Sequence, residues 1–214
     1  IDTTICKGST VQLKAKSPIQ PHYVFSPIWS NQYSSSNGYF GEGMIDQDSL
    51  VVSGGIWPTY PSGTTDQLMT KIAPNGDIVW QKVRSPGGDH DGFRSIQMTD
   101  NGDYIFFGQE NAQGTQYFDG FWTIYDKRGN EKSYGFFSVP GSTSGTDVQK
   151  LPNGNYIFTG PGDGQWVALT DGNFNQLAYR KLSIGTWSAS WITVDSINSK
   201  IYVVVSSDNF FKIS

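Results

Sequence analysis

Apolar residues in this chain fall into short runs bounded by Gly, Asn, Asp and Pro, and no run keeps a helical period. Phe93–Met98 alternates apolar and polar side chains, the two-residue period of a strand with one buried face. Tyr104–Phe107 and Tyr156–Phe158 are continuous, as expected for strands covered on both faces. The pairs Asn75-Gly76, Asn101-Gly102 and Asn153-Gly154 punctuate these runs. Asn-Gly is the strongest short hairpin signal and predicts type I′ turns, with positive φ at both central residues. The elements predicted are antiparallel strands joined by tight turns.

The runs repeat. Aligning Leu50, Tyr104, Tyr156 and Ile201, each at the head of an apolar run, gives spacings of 54, 52 and 45 residues. Gly54, Gly108 and Gly160 then fall in register. A second series opens on Asp66, Asp119, Asp163 and Asp208, each followed three positions on by Met69, Trp122, Trp166 or Phe211. A third series places Trp29, Trp80, Tyr134 and Tyr179 in polar strands. Four strands per repeat, with glycine and aromatic residues at fixed offsets, is the signature of a β-propeller blade. Each blade then reads a-b-c-d, with a innermost. The count is a leading d strand at Trp29, three complete sets, and strands a to c of a fourth. The expectation is an all-β propeller of four blades whose N-terminal strand closes the last blade; the alternative is a fragment of a larger propeller. Residues 1–27, with Pro18, Pro21 and Pro27, read as a lead-in strand and linker, and 28–214 as the propeller.

Composition agrees and narrows the function classes. Of 214 residues only 16% are charged while 25 are Gly, which excludes a helical bundle. The formal charge of −4 disfavours a nucleic-acid binder that relies on a basic face. Cys6 is the single cysteine, so no intrachain disulfide forms, and it is expected to be a small buried residue. No apolar run is long enough for a membrane-spanning helix. The chain starts at Ile1 and is expected to be a mature or internal segment of something longer.

The order Trp80-Gln81-Lys82, Gly87-Gly88-Asp89, Ser95-Ile96, Asp100-Asn101-Gly102 and Tyr104-Ile105 resembles the repeats of bacterial surface propellers of the Bacteroidota type. Residues 2–13, DTTICKGSTVQL, resemble segments that introduce adhesin or immunoglobulin-like modules in secreted proteins of that group. The resemblance implies export, with the type IX route as its usual form, an extracellular or cell-surface location, and a place in a larger assembly.

Candidate sites lie in the connections. Asp89, His90 and Asp91 form the densest polar cluster; no second ligand pair at metal spacing accompanies it, so no metal or other cofactor is expected. The repeated aspartates are expected to serve the blade by accepting loop N–H groups. Trp122 and Trp166 are expected between blades, and Trp187 and Trp191 likewise. Trp57, Tyr60, Tyr117 and Phe118 lie in the long connections that precede strand c, where aromatic faces suit a sugar ring or a protein partner. The function expected is a non-catalytic binding or scaffold module presenting these loops to a protein or glycan. The alternative is a carbohydrate-active enzyme with carboxylates at the channel mouth, or a sugar-binding lectin.

Overall fold

The computed structural model describes residues 38–47, 49–56, 65–84, 91–111, 118–137, 141, 143–182, 190–197, 200–205 and 209–213. The lead-in segment with Cys6, the strand at Trp29 with the closure expected of it, and Trp57, Tyr60, Asp89, His90, Tyr117, Trp187 and Asp208 lie outside the described residues.

Within them every regular element is a strand. The first sheet holds β1 (Gly38–Asp46), β2 (Ser49–Ile56), β3 (Asp66–Ile72) and β4 (Ile78–Arg84). The second holds β5 (Gly92–Met98), β6 (Tyr104–Asn111), β7 (Phe118–Tyr125) and β8 (Glu131–Phe136). The third holds β9 (Asp147–Lys150), β10 (Tyr156–Gly160), β11 (Gln165–Thr170) and β12 (Gln176–Leu182). The last holds β13 (Ser190–Asp195), β14 (Lys200–Val205) and β15 (Asn209–Ile213). Each sheet is an antiparallel meander in chain order. The sequence repeat is also a repeat of register: Leu50 pairs with Ile72, Tyr104 with Tyr125, Tyr156 with Thr170 and Ile201 with Ile213. The first strands of successive sheets are neighbours, β1 with β5, β5 with β9 and β9 with β13.

A meander sends alternate connections to opposite ends of its sheet. One end carries the tight turns, including 73–77, 99–103, 126–130, 151–155 and 171–175; the other carries the longer loops. The turns depart from the type I′ expectation. In the turn at 99–103, Gly102 N–H reaches Thr99 O at 3.0 Å and Thr99 N–H reaches Asp103 O at 2.9 Å. Only the fourth residue has positive φ: Gly76, Gly102, Gly129, Gly154 and, without a glycine, Phe174 at 66°. These are type I turns closed by a left-handed residue, so Asn75, Asn101 and Asn153 need no unusual backbone.

The cores lie between sheets. Val51 and Met69 of the first sheet meet Phe93, Tyr104, Phe106 and Phe121 of the second. Ile105, Phe107 and Ile124 of the second meet Val148, Phe158 and Trp166 of the third. Leu151, Ile157 and Val167 then meet Ile192 and Val203. The Tyr104–Phe107 run of β6 is apolar without interruption because its alternate residues serve two different cores. Trp166 is buried there, and Trp122 stacks on Phe174 of the third sheet with centroids 4.6 Å apart. Trp191 does not follow. The alternation of β13 turns Ser190 and Ile192 inward and leaves Trp191 53% exposed.

Candidate functional site

The inner strands carry a chain of polar groups that runs from blade to blade. Glu42 of β1, Ser95 of β5 and Asp147 of β9 occupy equivalent positions, and each accepts a hydrogen bond from a backbone N–H on the next inner strand. Ile96 N–H reaches Glu42 Oε2 at 3.1 Å, Val148 N–H reaches Ser95 Oγ at 3.3 Å, and Ile192 N–H reaches Asp147 Oδ2 at 2.6 Å. Within a blade, glycines let the inner segment lie close against the second strand. A Cβ on Gly108 would sit 2.0 Å from Gly92 O, and one on Gly160 would sit 1.7 Å from Ser144 O. The starts of the inner segments therefore press onto bare backbone of the second strand.

A purely structural latch would repeat one residue type, yet these positions hold Glu, Ser and Asp, and the fourth holds Trp191. Ser95 Oγ lies 2.6 Å from Glu42 Oε2 and 3.2 Å from Asp147 Oδ1, so one hydroxyl joins two carboxylates. Glu42 is exposed, and both of its anchoring bonds fall on Oε2. Asp147 is buried, and Gln149 Nε2 adds a bond to its Oδ1 at 3.3 Å. Burial pushes the Asp147 carboxyl up and the Glu42 charge adds to this, while the bonds from Ile192, Gln149 and Ser95 pull it back.

A second carboxylate group lies between the first two sheets. Asp91 is fully buried at the entry to β5. Its N–H donates to Thr65 O at 3.0 Å, and Thr65 Oγ1 donates to its carbonyl at 2.7 Å. Asp91 Oδ1 accepts the Asn111 N–H at 2.6 Å, and Oδ2 has no partner among the described residues. Burial pushes this carboxyl up to about 7, against the Asn111 bond and with help from Glu110 and Asp66. Arg84, at the end of β4, pairs with Glu110, lies 3.3 Å from Glu131, and sits 4.4 Å from the Phe121 ring. Gln67 Nε2 donates to Gln109 O at 3.3 Å. Burial pushes Glu110 up while Arg84 and Gln67 pull it down, and burial also raises Asp119.

Of the candidate binding residues in the sequence, the described ones are Asp91, buried as above, and Phe118, half-buried at the start of β7 opposite Asn111. Trp57, Tyr60, Asp89, His90 and Tyr117 lie outside the described residues. Asp66 is buried at the head of β3, and a Cβ on Gly141 would lie 2.1 Å from the Asp163 carboxylate. Sequence reasoning missed Glu42, Ser95 and Asp147. Their spacing of 53 and 52 matches the repeat, but three different residue types hide it. Among the described residues no group of three or more His, Cys, Asp or Glu side chains could hold a metal ion.

No protein-family model and no curated protein matches the chain. Solved structures do. A Bacteroides caccae protein of unknown function is 14% identical, with a TM-score of 0.58 over 87% of this chain and 60% of its own. A protein named as a candidate gluconolactonase is 16% identical, with a TM-score of 0.52 over 87% of this chain and 62% of its own. A Xanthomonas campestris gluconolactonase is 12% identical, with a TM-score of 0.52 over 81% and 56%. The fold is a β-propeller. Among the described residues its blades are the four sheets, with β1, β5, β9 and β13 as inner strands, and the chain spans about 60% of the length of the propellers it matches.

Proposed function

We propose that this propeller binds a sugar-derived ligand against its inner strands at the loop end, and that Glu42 is the base that hydrolyses it. The observation that carries this reading is the exposed Glu42 carboxylate, fixed by Ser95 Oγ and Ile96 N–H and linked through Ser95 to the buried Asp147. A base held in one orientation needs no reorganisation when it takes a proton. Trp191, exposed at the fourth equivalent position, offers a face for a sugar ring. Two propellers of like fold are named for lactone hydrolysis, which supports the choice of substrate class.

For a sugar lactone, Glu42 takes a proton from water as the water oxygen adds to the ring carbonyl. The ring C–O bond then breaks, and its oxygen recovers the proton to give the open hydroxy acid. Ser95 and Asp147 are positioning residues that hold the carboxylate.

The test is hydrolysis of a panel of sugar lactones, corrected for the spontaneous rate, with calorimetric binding of the matching sugars in parallel. The expected result is turnover that Glu42→Gln lowers about 100-fold or more in kcat, with KM little changed. Sugar binding without turnover restores the non-catalytic reading, in which the loops hold a glycan or protein partner. Neither binding nor turnover overturns both.

A further inference from the structure

The opposite, turn end of the inner strands has a cleft of its own. It is an open groove of about 850 Å³ between the turn at Asp100 of blade two, the end of β9 with its turn in blade three, and β13 with its turn in blade four. That volume suits a small-molecule ligand. Its apolar floor includes Leu151, Ile192 and Val194, while uncharged hydrogen-bonding side chains, Gln149, Asn153, Thr193 and Ser196, stand around it. Gln149 spends its amide N–H on Asp147, which leaves its Oε1 as an acceptor. Lys150 supplies the cation. Its counter-ion is Asp100, whose side chain is 71% exposed against 29% for Lys150. An ion pair with one partner so open to water contributes little, so an incoming anion exchanges with Asp100 at small cost.

We propose that this cleft binds a small polyhydroxylated carboxylate, a sugar acid, with its carboxylate on Lys150, its hydroxyls on Gln149, Asn153 and Thr193, and its C–H face on Ile192 and Val194. A lone ammonium with no arginine fork matches a monoanion better than a phosphate. The ring of neutral donors and acceptors predicts that a simple carboxylate binds more weakly, since it would leave them without partners. Gln149 reaches Asp147, but the cleft opens at the other end of the strands from the proposed lactone site, and its assignment does not depend on the reading given for Glu42.

The experiment is a heteronuclear NMR titration of the full chain with sodium D-gluconate, with D-glucose and sodium acetate as the other arms. Gluconate is expected to shift the amides of 149–154 and 192–196 and to bind at least tenfold more tightly than either control. Lys150→Met should weaken it tenfold or more, Lys150→Arg should retain most of the affinity, and Glu42→Gln should leave these shifts unchanged. The proposal is overturned if gluconate does not bind, if it leaves the amides of 149–154 and 192–196 unshifted, if acetate binds as well, or if Lys150→Met binds as the parent does.

Discussion

Asp91 shows how one side chain ties stability to pH. Its carboxyl titrates near 7 in the folded chain because burial and the neighbouring Glu110 and Asp66 charges oppose ionisation. The ordinary aspartate value is 3.8. Between those two values the folded state holds a proton that the unfolded state has released. The free energy of unfolding therefore falls as pH rises across this window, by at most about 1.4 kcal/mol per pH unit from this group. Asp91→Asn keeps an acceptor for the Asn111 N–H and removes the titration. Chemical denaturation at pH 5, 6, 7 and 8 should show a shallower decline in the variant than in the parent, with the difference confined below pH 8. Equal slopes would show that Asp91 ionises normally in the folded chain.

At the scale of elements, the turn at 171–175 departs from its relatives in one residue. Asp171 Oδ1 accepts the Asn173 and Asn175 N–H groups at 2.9 Å each, as Asp126 does in blade two. The left-handed position, glycine in four other turns, is Phe174. A non-glycine residue there costs on the order of 1 kcal/mol, and the ring offsets it by stacking on Trp122 and on Tyr156, with centroids 4.6 and 5.1 Å away. Phe174→Ala keeps the strain and loses both stacks, about 1–3 kcal/mol in all. Phe174→Gly also relieves the backbone, so melting temperatures should fall in the order parent, Phe174→Gly, Phe174→Ala. An alanine variant as stable as the glycine one would refute the strain. The same contrast explains what sequence made legible. Strand order, turn positions and the repeat are local patterns, and Leu50, Tyr104, Tyr156 and Ile201 are enough to set the phase. The turn type was not legible, because Asn-Gly fits two geometries and the closing pair, such as Thr99 with Asp103, decides between them. The candidate site was hidden for another reason. Glu42, Ser95 and Asp147 are unlike in chemistry and distant in sequence, and only the pairing of inner strands brings them together. Asp91 was visible as a polar loop residue, but its burial depends on Thr65 and Asn111, each twenty or more positions away.

At the scale of the whole molecule, stability rests on how adjacent blades are fastened, since each core lies between two of them. Blades one and two are tied at both ends. Near the turns, Tyr104 of β6 donates its hydroxyl to Asp46 of β1, and Lys71 Nζ meets the same carboxylate at 3.0 Å. Near the loops, Arg84 of blade one reaches Glu110, Glu131, Phe121 and Tyr134 of blade two. Glu110 is 5% exposed, so losing its cation would strand a buried charge. Arg84→Met should therefore cost about 3–5 kcal/mol, much of it the penalty left on Glu110 rather than the worth of the pair. Arg84→Met with Glu110→Gln removes both charges and should recover a large part of that loss, giving a coupling on the order of 1–3 kcal/mol in a double-mutant cycle. Denaturant unfolding of the four proteins measures it. Additive losses would mean that the two charges act independently and that this ion pair does not fasten the blades. A strong coupling would make this ion pair the contact that fixes the spacing of blades one and two, and with it the distance from β1 to β5 that sets Glu42 against Ser95.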